Sequence, residues 1–144
     1  MNALDAYKLW YDFSDIACSA VRRQKFVDGD SGNIEWDRLE QAMRIAALSF
    51  ACSMFEELGK KHEQPHNKVL SHLRNAVIHN GGDLRQNNDS NSEADCLAYL
   101  QAKPWTAFDP PERPVHGNLF SIDSGKVTLG SGLFFFINRL FDSY

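Results

Sequence analysis

The sequence predicts a mostly α-helical bundle with a small C-terminal β-hairpin and a closing helix. Three observations carry that prediction. Apolar residues recur at three- and four-residue steps through three stretches of the N-terminal half, the period of a helix with one buried face. Around Asp123, Ser124 and Gly125 the pattern changes to the alternation of two short strands, Leu119 to Ile122 and Lys126 to Leu129. The last stretch, Leu133 to Tyr144 (LFFFINRLFDSY), is too apolar for a helix left on the surface and must pack into the bundle or into a partner. With 144 residues, 43% hydrophobic and 24% charged, the chain is the size of one domain and can bury a core without disulfides or metals. Residues 1–144 are therefore read as a single domain.

The first helix is expected from about Ala3 to Phe26, with apolar positions at Leu4, Tyr7, Trp10, Phe13, Ile16, Ala17, Ala20 and Val21. Arg22, Arg23 and Lys25 fall in its last turns, where positive charge suits the helix dipole, and read as a solvated basic face rather than a phosphate site. Asp28 to Asn33 (DGDSGN) makes the turn. A second helix follows from a cap near Asn33 to about Lys61. It carries two stripes, one of Trp36, Leu39, Met43, Ala46, Phe50 and Met54 and another of Ile45, Leu48, Cys52 and Phe55. Burial on two sides makes it the central helix of the bundle.

The segment His66 to Gly82 (HNKVLSHLRNAVIHNGG) combines helical patterning with a compact set of reactive side chains. Val69, Leu70, Leu73, Ala76 and Val77 form its apolar stripe, and Gly81 and Gly82 end the helix. Lys68, Ser71, His72, Asn75 and His79 occupy the other face, with Arg74 at one margin. Ile78 sits among them, and an apolar residue there suggests that this face meets a second copy of itself. His72 shares that side and reads as a solvated surface histidine. His62 and His66 flank Glu63, but Pro65 interrupts any shared helical face, so no metal site is expected there. The stretch 83–118 reads as a long exposed loop, interrupted by a short helix from a Ser92 cap to Ala102 and then by a proline-rich run anchored through Trp105 and Phe108.

Arg74 and His79 within R-N-A-V-I-H, extended to RNAVIHNGG, resemble the signature of the HEPN superfamily of small helical proteins, many of them metal-independent endoribonucleases. The resemblance implies a HEPN-like bundle and RNA cleavage to 2′,3′-cyclic phosphate and 5′-hydroxyl ends, with Arg74 and His79 catalytic and Asn75 in support. It also implies a toxin or phage-defence effector neutralised by an antitoxin protein, with no cofactor and no metal. The chemistry fits the residue types. Histidine can give or take a proton near neutral pH, and guanidinium stays charged and can hold two phosphate oxygens. Five residues along a regular helix turn through about 500°, so Arg74 and His79 project about 140° apart. A composite site in a homodimer paired through this helix would bring them together. Lys68, His72 and Arg85 are the expected RNA contacts. A net charge of −4 and a pI near 5.7 argue against a broad basic coat for nucleic acid, though not against a local cluster. The competing reading is a non-cleaving nucleotide-, RNA- or protein-binding module of the same fold. Three scattered cysteines, Cys18, Cys52 and Cys96, read as reduced core residues, and the absence of a leader or membrane-span pattern points to the cytoplasm.

Overall fold

The apolar periodicity becomes helix where it was expected, and the helices differ from expectation mainly in what covers them. A computed structural model describes residues 2–28, 34–59, 63–108 and 119–144. Helix α1 runs Ala3–Asp28 and α2 runs Ile34–Glu57. Helix α2 stops short of Lys61, because Gly59 turns the chain out at φ 88°. Lys60, Lys61, His62 and the expected Asn33 cap lie outside the described residues, as do Pro110, Pro111 and Pro114. One π-helical turn, Glu63–Asn67, leads into the motif helix α3, Lys68–His79. Helix α4 (Ser92–Ala102) spans the short helix that was expected, and 3-10 turns at Leu84–Gln86 and Pro104–Phe108 break up the stretches expected as loop on either side. Strands β1 (Phe120–Asp123) and β2 (Lys126–Leu129) and helix α5 (Gly132–Asp142) complete the described chain.

The core gathers the stripes of four helices. Helix α3 buries Val69, Leu70, Leu73 and Ala76, α2 buries Ala47, Leu48, Ala51, Cys52 and Phe55, and α5 closes over them with Leu133, Phe136, Ile137, Leu140 and Phe141. Each such large side chain contributes roughly 1.5–3 kcal/mol by leaving water. From α1 come Ala6 and the fully buried Trp10, whose indole Nε1–H donates to the Ala47 carbonyl at 3.0 Å. Phe141 bridges this joint, 5.6 Å from the Trp10 ring and 4.6 Å from Phe55. Trp105 and Phe108 are half-buried against the core, as the anchors expected of the proline-rich run.

The apolar positions of the first two helices are only partly covered. Leu4, Phe13 and Ile16 are exposed, and so is Leu39 in α2. The side chains that reach the core lie near the start of α1 and the end of α2. The two helices also pack directly on each other, as in the stacking of Phe13 on Phe50 at 5.3 Å. Helix α2 is thus central only in its C-terminal half.

The hairpin pairs Phe120 with Leu129 through Asp123 with Lys126, one residue later in β1 than the sequence pattern suggested. Ser124 (φ 50°) and Gly125 (φ 80°) form its two-residue turn, with the positive φ values that suit the right-handed twist of the strands. Strand β2 is tied to the helices along its other edge. Its Val127 N–H donates to the Gly82 carbonyl at 2.8 Å, and the Gln41 carboxamide both donates to the Leu129 carbonyl (3.0 Å) and accepts from the Leu129 N–H (2.8 Å). Gly82 has φ 91°, and a Cβ there would stand 3.2 Å from the Val127 carbonyl, so the C-terminal end of α3 is held close against the sheet.

Candidate functional site

The apolar stripe of α3 fixes its rotation, and that rotation sends the polar residues in two directions. Arg74 reaches towards α2, its Nη1 donating to Glu56 Oε1 at 3.1 Å with about a quarter of the side chain exposed. His79, in the last turn, is exposed on the opposite flank and opens into a cavity of about 440 Å³. Asn75, His79 and Asn80 line one side of that cleft, and Asn87, Asp89 and Ser92 line the other. Asn75 and His79 stand one turn apart, as their spacing requires. Within one chain Arg74 and His79 face different neighbours, in keeping with their wide angular separation. Ile78, 48% exposed, lies between them.

His72 is not the solvated residue expected from its place on the polar face. It is 5% exposed and has partners at both ring nitrogens. Nε2 lies 3.1 Å from Asp95 Oδ2 and 3.8 Å from Asp89 Oδ2, and Nδ1 lies 3.1 Å from Ser92 Oγ. The cause is the docking of α4 on α3, which closes a polar network over the imidazole. Ser92 is wholly buried in that network and is the first residue of α4 rather than its cap. Its hydroxyl donates to the Asp89 carbonyl (3.0 Å) and accepts from Asn87 Nδ2 (3.2 Å), which also donates to the His72 carbonyl (3.2 Å).

The other expected RNA contacts lie apart from the cleft. Lys68 pairs with Asp95 Oδ2 at 3.2 Å. Burial presses the Asp95 carboxyl upward, but the hydrogen bonds of His72 and Lys68 outweigh it and leave the group below its ordinary value. Arg85 forks onto Asp83, Nε to Oδ1 at 3.1 Å and Nη2 to Oδ2 at 3.2 Å. Those bonds hold the Asp83 carboxyl below, and the guanidinium above, their usual values.

His66 belongs to the core. Its Nδ1 is 2.9 Å from the Tyr99 hydroxyl, and Phe108 and Phe136 pack edge-on to the ring at 5.0 and 5.5 Å. Burial raises the Tyr99 hydroxyl far above its ordinary value, and burial together with the Asp95 charge pushes the Cys96 thiol up to about 12. Cys52 and Cys96 are buried thiols outside any disulfide, and the side chain of Cys18 lies outside the described residues. No helix among the described residues is long and apolar enough to cross a membrane.

Neither Glu56 nor the group of Asn87, Asp89 and Asp95 was signalled by the sequence, and Ser92 was signalled only as a helix cap. Asn87 and Asp89 lie in a polar, turn-rich run that reads as ordinary loop, Ser92 and Asp95 open the short helix expected after it, and only the docking of α4 brings them to α3. The chain has no match among protein-family models, curated proteins or solved structures.

Proposed function

We propose that this protein is a homodimeric, metal-independent endoribonuclease of the HEPN type, acting as a toxin or phage-defence effector in the cytoplasm and restrained by an antitoxin protein. The observation that supports this best is the exposed His79 beside Asn75 on the wall of an open polar cleft. An accessible imidazole can take the 2′-hydroxyl proton or protonate the leaving 5′-oxygen. The Asn75 carboxamide on the same wall can orient that ring or hold a phosphate oxygen. Arg74 would stabilise the charge of the phosphorane-like transition state, exchanging the Glu56 carboxylate for phosphate. A two-fold pairing of α3 helices across Ile78 would unite the Arg74 of one copy with the His79 of the other.

The test is cleavage of RNA by the purified protein in EDTA, wild type beside Arg74→Ala and His79→Ala, with product ends identified. Cyclic-phosphate ends that vanish in both variants are the expected result. Intact RNA across a broad panel, from a folded dimer free of any co-purified inhibitor, would sink the proposal. A second reading, the non-cleaving binding module, is favoured by one feature: Arg74, the group that transition-state charge would need, is already paired with a carboxylate. Binding of RNA or nucleotide without cleavage would select it.

A further inference from the structure

His72, Asp89 and Asp95 come from three separate places in the chain, α3, the loop before α4, and α4 itself. Their ligand atoms nevertheless lie within 4.8 Å of one another. The edges that involve the imidazole, 3.1 Å to Asp95 Oδ2 and 3.8 Å to Asp89 Oδ2, bracket the ~3.3 Å separation of ligands about a tetrahedral ion with ~2.0 Å bonds. Asp89 Oδ2 is too distant from the ring for a hydrogen bond, yet it lies within the span of one coordination sphere. We propose that His72 Nε2, Asp89 and Asp95 bind a divalent transition ion, zinc in the first instance, with solvent completing the sphere at the mouth of the cleft.

A second and independent observation comes from the far side of the ring. His72 is more than nine-tenths buried, and its Nδ1 faces Ser92 Oγ. With an ion on Nε2, Nδ1 carries the ring proton and donates it to Ser92 Oγ, whose own hydroxyl donates to the Asp89 carbonyl. Each polar group in the chain then has its partner, in the arrangement that outer-shell groups adopt around metal-bound histidines. If Nε2 carries the proton instead, Nδ1 needs the Ser92 proton and the buried link to the Asp89 carbonyl is lost. A ring protonated at both nitrogens satisfies the same bonds, so ion and proton compete for one lone pair. One imidazole nitrogen and two carboxylates suit zinc or manganese better than the oxygen-seeking magnesium or calcium. Lys68 is the opposing charge, since its ammonium contacts the same Asp95 oxygen. The ion would pin the Asn87–Asp89 wall of the cleft to α3, while proton transfer stays with His79.

The proposal does not rest on the ribonuclease reading, because its test reads ion binding. Zinc is titrated calorimetrically into metal-stripped wild type, Asp89→Asn and Lys68→Met, with folding of each checked by circular dichroism. Asp89 is exposed, so its replacement leaves the fold intact. Expected are one zinc ion per wild-type chain, binding weakened at least about tenfold in Asp89→Asn, and equal or tighter binding in Lys68→Met. The wild-type melting temperature should also rise, by roughly 5 °C at saturating zinc. No binding by folded wild type at millimolar zinc would overturn the site. So would an affinity unchanged in Asp89→Asn, which would place the ion elsewhere, or a loss of binding in Lys68→Met.

Discussion

His72 and His79 stand two turns apart on the same side of one helix, and they have opposite surroundings. Seven residues at about 100° each bring the two rings to nearly the same angular position. One is 5% exposed with partners at both nitrogens, and the other opens into solvent on a cleft wall. The difference lies in α4 and the loop before it, which cover the first ring and stop before the second. Helical phase decides which direction a side chain takes, and a neighbouring element decides whether that direction leads to water.

Under the proposed function the contrast casts His79 as a residue for chemistry and His72 as a residue for stability, and measurements on both can break or sharpen it. The largest effect is expected from His79→Ala, which should lower RNA cleavage by about 10²- to 10⁴-fold, read in single-turnover assays. The same substitution should move the unfolding free energy by no more than about 0.5 kcal/mol. A marked loss of stability there would erase the contrast. Next, His72→Ala should destabilise the fold by about 2 kcal/mol in urea titrations, since it empties the buried place of the imidazole and takes one partner each from Ser92 and Asp95. Ser92→Ala removes one member of the same network and should cost about 1 kcal/mol. If His72 and Ser92 act as one unit, the double variant will lose less than the sum of the two.

The smallest effect concerns acid stability. Asp83, held below its ordinary value by Arg85, keeps its charge in the folded chain to lower pH than in the unfolded chain. Its contribution is therefore complete above the unfolded value of 3.8 and is lost as pH falls through the lower, folded value. Asp83→Asn should flatten that part of the stability profile and leave the profile near neutrality parallel to wild type.

The elements themselves were legible because each has a local cause. Period fixed the stripe of α3, apolarity marked α5 as a packed helix, and the Ser124-Gly125 pair marked the hairpin turn. What could not be read was the coverage. Phe13 and Ile16 obey the same periodicity as Trp10, but nothing in their spacing tells that the core closes over Trp10 alone. Ser92 was legible as a helix-start residue, yet its hydroxyl turns inward to His72, because satisfying a buried imidazole outweighs capping an exposed helix end. The candidate site divides in the same way. Asn75 and His79 share a cleft as their four-residue spacing requires, whereas the carboxylates that meet His72, Lys68, Arg74 and Arg85 depend on long-range packing or on the conformation of a loop.

Strand β2 has a further property that follows from Gln41. A two-stranded sheet presents backbone groups along its outer edges, and an open edge can recruit an extended segment of another molecule. Here the carboxamide of Gln41 meets both the N–H and the carbonyl of Leu129, much as a neighbouring peptide unit would, while Gly82 accepts from Val127. A helix side chain and a glycine carbonyl thereby occupy places that an adjoining strand would need. The hairpin is shielded along this edge from intermolecular β-aggregation, and two residues of α2 share that protection, since Arg44 Nη1 also donates to the Leu129 carbonyl at 3.1 Å.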